Sequence, residues 1–106
     1  MLGRRRDPAM PVVVRYQTKP DRADENQALI EAVFADLEQR QPEGFTYRAF
    51  RLADGVSFVH VVIEHDVADP DSLNDVPAFQ AFTADIADRC EVQPVASGAT
   101  LVGGYR

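Results

Sequence analysis

With 106 residues, 45% of them apolar and 26% charged, the chain has the make-up of one globular domain and too little length for two cores. A formal net charge of −6 with acidic and basic residues interleaved leaves no electropositive surface to follow a phosphate backbone, which argues against a nucleic-acid partner. Apolar runs such as Val12 to Val14 and Val61 to Ile63 fall far short of the roughly 20 residues that cross a bilayer, so no membrane partner is expected, and Cys90 as the sole cysteine suits a reducing, cytoplasmic setting.

The one basic cluster, Arg4 to Arg6, precedes Pro8, Ala9 and Met10. Residues 1–9 are read as a flexible N-terminal extension, Met10 as a candidate start and 10–106 as the domain, because no apolar segment follows the arginines as a targeting signal requires. Pro11 to Thr18 predicts a first strand: Val12, Val13 and Val14 are β-branched, and Lys19-Pro20 ends the run. From Asp24 the period changes. Leu29, Val33 and Leu37 recur every four residues with Ile30 and Phe34 beside them, which predicts a helix from Asp24, capped by Asp24 and Gln27, to Arg40 before Gln41-Pro42.

Phe45 to Ala53 and Val56 to Glu64 predict two strands joined at Asp54-Gly55, the dipeptide suited to a two-residue type I′ hairpin. Asp66 to Asp75 reads as a solvated acidic connection, its spacing unlike a calcium loop. Asp75 as cap and Pro77 in the first turn predict a second helix from Val76 to Arg89, with Phe79, Phe82, Ile86 and Cys90 on one stripe. The last strand is expected within Ala99 to Tyr105, weakened by Gly103 and Gly104.

The resulting order is β-α-β-β-α-β, an α+β ferredoxin-like fold with a four-stranded antiparallel sheet and two helices on one face. If Ala53 opposes Val56, one face of the hairpin carries Phe45, Tyr47, Ala49, Arg51, Phe58, His60, Val62 and Glu64, and the other carries Thr46, Arg48, Phe50, Leu52, Ser57, Val59, Val61 and Ile63. Both faces are substantially apolar, yet the helices cover only one. A second copy of the chain is the simplest cover for the other, so a homodimer is expected.

The runs Pro42-Glu43-Gly44-Phe45-Thr46-Tyr47, Phe50 to Gly55, Ser57 to Val61 and Val76 to Phe82 resemble the dimeric α+β barrel superfamily, nearest to its antibiotic biosynthesis monooxygenase-like domains. The likeness spans Val12 to Tyr105 and rests mostly on turn and packing residues, so it implies fold more than chemistry. Where that branch commonly places a Glu and a Trp near the end of the third strand, this chain has Val62 and Glu64, and it has no Trp. The haem-degrading members' Asn on the first strand and His on the second helix are also missing. The chain resembles the members without an assigned activity.

On the face that the resemblance turns toward the helices stand Tyr47, Arg51, His60 and Glu64, with Tyr16 from the first strand near them. Such a set can serve cofactor-independent oxygenation of an enolisable aromatic or polyketide-like compound, His60 or Glu64 removing a proton and Arg51 or Tyr47 steadying the oxyanion before O₂ takes electrons. Catalytic roles are expected of His60 and Arg51, and substrate contacts of Tyr47, Glu64 and Tyr16. This chemistry needs no metal and no flavin. The competing reading makes His60 a hydrogen-bonded core residue and Tyr47 and Arg51 pocket-rim residues of a small-molecule-binding or structural dimer. An open space between helices and sheet would favour an enzyme or a binder over a purely structural dimer.

Overall fold

The computed structural model describes residues 11–65 and 71–106. The expected extension at 1–9, the candidate start at Met10 and 66–70 of the acidic connection lie outside the described residues. The elements are β1 (Val12–Thr18), α1 (Ala23–Arg40), β2 (Phe45–Arg51), β3 (Ser57–Glu64), α2 (Pro77–Ala84), α3 (Ile86–Arg89) and β4 (Cys90–Gly98). The strands form one antiparallel sheet in the order β2-β3-β1-β4, the ferredoxin-like arrangement. Among the described residues no helix is long and apolar enough to cross a membrane.

β1 and β3 are central, so the Val-rich run at Val12 to Val14 is placed where both neighbours supply backbone partners. In the hairpin, Phe45 opposes Glu64, Tyr47 opposes Val62, Ala49 opposes His60 and Arg51 opposes Phe58. This is the register that opposing Ala53 to Val56 demands, and it separates the faces as expected. The turn differs from the expected type I′. Gly55 takes φ +81° but Asp54 is not at positive φ, and the Gly55 N–H donates to the Leu52 carbonyl at 3.0 Å. Asp54 instead uses its carboxylate, which accepts from the N–H groups of Val56 and Ser57 at 3.0 and 2.8 Å, as short acidic side chains do in turns. Its carboxyl is held below its ordinary range chiefly by the Ser57 hydroxyl bond.

Three further expectations are corrected. α1 opens one residue early, after a 3₁₀ turn at Pro20–Arg22 and without a side-chain cap, and Asp24 and Gln27 both accept from the Arg51 guanidinium instead. The second helix is divided at Asp85 into α2 and α3, and α2 starts at Pro77 with Val76, not Asp75, at the cap position, since the residue before proline is pushed to extended backbone. The last strand is Cys90–Gly98 rather than Ala99 to Tyr105. Pro94 argues against a strand, but β4 is an edge, where a missing donor is tolerated. There the pairing slips, from Arg15 opposite Val95 to Gln17 opposite Val92 and Thr18 opposite Cys90, the irregularity by which an edge absorbs a proline.

The core lies between the helices and one sheet face, around Tyr16, Ile30, Val33, Tyr47, Phe58 and Phe82. Cys90 is buried at its margin, and burial raises its thiol pKa, which keeps it a packing residue.

Candidate functional site

His60 sits mid-strand on β3, opposite Val14 of β1 and Ala49 of β2. Tyr16 and Tyr47 are therefore its diagonal neighbours, near enough for long side chains to meet. Each does: the Tyr16 hydroxyl lies 2.7 Å from His60 Nε2 and the Tyr47 hydroxyl 2.7 Å from Nδ1. Both imidazole nitrogens are thus satisfied in a residue only 4% exposed. Burial pushes the His60 pKa down to about 4, so the ring is neutral near pH 7. Burial likewise raises both tyrosines, with the Asn26 bond partly offsetting the effect at Tyr16, so both remain phenols.

The chain of polar groups continues inward. Asn26 of α1 donates from Nδ2 to the Tyr16 hydroxyl at 2.9 Å, and its Oδ1 accepts from Arg89 Nε at 3.0 Å. Arg89, fully buried, also donates from Nη2 to the Phe82 carbonyl at 2.7 Å, and its guanidinium lies 5.2 Å from the Phe82 ring centroid. Two helices, α1 and α3, are thereby tied to the same tyrosine.

Beside this chain lies a cavity of about 200 Å³. Val14 and Val62 form its floor, Phe79, Phe82 and Ile86 its helical wall, and Pro94 its β4 side. Tyr16, Tyr47 and His60 also line it. Ligand pockets typically run about 300 to 1,000 Å³, so this one suits a molecule of one or two rings. Its wall is almost all carbon.

Three of the five expected site residues meet here. Arg51 does not line the cavity: it donates to the Gly55 carbonyl, Asp24 and Gln27 at the hairpin end, with its guanidinium 5.6 Å from the Phe58 ring centroid. Glu64 is exposed where β3 ends, and His65 bonds to Thr46 at 2.7 Å, away from His60. Asn26 and Arg89 went unread in the sequence, although each left a signal. Asn26 is one turn before Ile30 on the buried stripe of α1, and Arg89 is seven residues after Phe82, hence on the same face of the continuous helix expected from the sequence.

No protein-family model and no curated protein matches the chain. Solved structures do. A candidate antibiotic biosynthesis monooxygenase from Bacteroides thetaiotaomicron is 19% identical at a TM-score of 0.75, with 93% of this chain and 95% of that one covered. One from Nitrosomonas europaea is 15% identical at 0.66, covering 94% and 99%. One from Caulobacter crescentus is 19% identical at 0.62, covering 91% and 92%. At such identities the likeness establishes a shared fold, the ferredoxin-like α+β domain.

Proposed function

We propose that the chain binds a small, largely apolar aromatic compound bearing one polar oxygen in the cavity beside His60, and oxidises it as a cofactor-independent monooxygenase-like enzyme. The observation that carries this reading is a carbon-walled cavity with Tyr47, His60 and Tyr16 among its lining residues, their polar atoms bonded to one another behind that wall. Apolar walls bury the rings, and a ligand oxygen reaches Tyr47 or His60 by opening the bond between them. For an enolisable ketone, Tyr47 steadies the developing oxyanion and His60 is the net proton acceptor. Burial alone disfavours the imidazolium, but an enolate beside it stabilises that charge. The enolate passes electrons to O₂, the resulting hydroperoxide loses water, and a CH₂ group becomes a carbonyl, so that R₂CH₂ and O₂ give R₂CO and H₂O.

Arg51 serves this site from outside, pinning the hairpin to α1. A second copy of the chain covers the helix-free sheet face, and the single buried thiol fits a cytoplasmic setting.

A second reading, binding without turnover, is favoured by the full occupation of both His60 nitrogens. Oxygen uptake measured with quinol and anthrone-type compounds separates the two. Turnover that drops at least tenfold in His60→Ala and Tyr47→Phe, and survives in Arg51→Ala, supports the enzyme. Uptake indifferent to His60→Ala removes the catalytic assignment. Saturable binding with no uptake leaves the binder.

A further inference from the structure

We infer that the resting cavity holds its ligand by carbon alone, so that it selects an uncharged hydrocarbon skeleton of one or two rings, and an oxygen or nitrogen substituent on that skeleton weakens the complex. Every polar side chain in the lining is already engaged elsewhere. Among the described residues that line the cavity none is Lys, Arg, Asp or Glu, and the polar ones are Tyr16, Tyr47, His60 and Thr83. The Tyr16 hydroxyl receives the Asn26 amide and meets His60 Nε2, and the Tyr47 hydroxyl meets Nδ1. Thr83, exposed on α2, turns its hydroxyl back to the Phe79 and Gln80 carbonyls of its own helix at 3.1 and 3.2 Å. What remains to face a ligand is almost entirely carbon, continuous with Val14, Val62 and Ile86.

A polar substituent carried into this space gives up its water partners and meets two alternatives, both unfavourable. Unpaired, it forfeits the hydrogen bonds that it made in water. Paired, it must first break a 2.7 Å bond between buried groups, Tyr47 to His60 or Tyr16 to His60, and the displaced partner is then left without one. A charged group fares worst, because no counter-ion lines the cavity. Bare carbon meets neither obstacle: carbon-lined cavities of about 150 Å³ take benzene, and this one measures about 200 Å³.

The inference rests on the pocket of the reading above and sharpens its chemistry. A neutral ketone oxygen opens the Tyr47–His60 bond at a loss. An enolate oxygen makes charge-assisted bonds about twice as strong, so Tyr47 and His60 engage the substrate only as charge develops, when the interaction lowers the barrier and not merely the resting complex.

Toluene and phenol share a shape and differ in one substituent, and indane and 1-indanone differ by one carbonyl oxygen. Methyl ¹H–¹³C spectra of the full chain, with Val14, Val62 and Ile86 reporting on the cavity, give a dissociation constant for each. Toluene should bind about tenfold more tightly than phenol, and indane more tightly than 1-indanone. Equal affinity, or tighter binding of the oxygenated member, overturns the inference and leaves the pocket in place. Tyr47→Phe strips His60 Nδ1 of its partner, and phenol can pair with that nitrogen in either tautomer, so phenol should gain about tenfold on toluene. A ratio that does not move shows that the Tyr47–His60 bond is not what excludes the oxygen, and also overturns the inference. If none of the four compounds perturbs the three methyl positions, the pocket reading fails and this inference with it.

Discussion

His60 makes the stability of the fold depend on pH through a simple linkage. An imidazole in the unfolded chain titrates near 6.5, whereas burial holds the native one at about 4. Between those values the unfolded state binds a proton that the native state refuses, so stability falls as pH drops through that window and is fully present above it. The full shift corresponds to about 3 kcal/mol. Carboxylates held low in the native state, such as Asp36 beside Arg40, act mainly below about pH 4.5, which leaves pH 6.5 to 4.5 to the imidazole. Urea melts at steps across that interval should lose stability in the wild type and stay nearly flat in His60→Gln. Equal slopes in the two proteins would mean that the ring is not buried neutral. At this scale His60, Tyr47 and Tyr16 were legible because strand alternation alone puts them on one face. Arg51 shares that face, but its long side chain leaves the sheet plane to reach α1, and alternation says nothing of where a flexible side chain ends. Asn26 and Arg89 escaped because an isolated polar residue on an apolar stripe is ordinarily read as its solvated edge.

The hairpin between β2 and β3 determines which side chains surround the cavity. Its register was legible from Asp54-Gly55, yet the turn type was not, since the pairing depends on how many residues the turn spans and not on which of them takes positive φ. Gly55 alone carries that strain at φ +81°, and a Cβ there would meet nothing within 4 Å. Gly55→Ala should therefore cost about 1 kcal/mol through backbone strain alone. Gly55→Asn should cost less, because Asn tolerates the left-handed region better. Thermal melts of the two variants check this, and a loss in Ala no greater than in Asn would show that the turn relaxes. β4 was misplaced for a related reason. Propensity counts Pro94 as a breaker, and only the sheet order reveals an edge where that proline faces no partner. The helix division at Asp85 has no comparable sequence signal, since the apolar stripe runs through it unbroken.

As a whole, the molecule leaves one side of its sheet without helices. Across that side run Phe50, Val59, Arg15 and Val95 in one row and Arg48, Val61, Val13 and Ser97 in the next, as the strand pairings place them. Phe50 is 50% exposed and Val95 61%. A face this rich in valine and phenylalanine, although crossed by Arg15 and Arg48, is uncommon on a lone domain, and a second copy related by a two-fold axis is the simplest cover for it. Light scattering at micromolar concentration should give about twice the 11.7 kDa of one chain. Placing charges on the face, with Phe50→Glu and Val61→Glu together, should return the single-chain mass, because two carboxylates per copy would have to be desolvated in the interface. The inward face would be untouched, so the native circular-dichroism spectrum and the His60 ring-nitrogen resonances should persist. A wild type that already sediments as one chain would leave these valines exposed to water, and a double variant that still pairs would place the contact elsewhere.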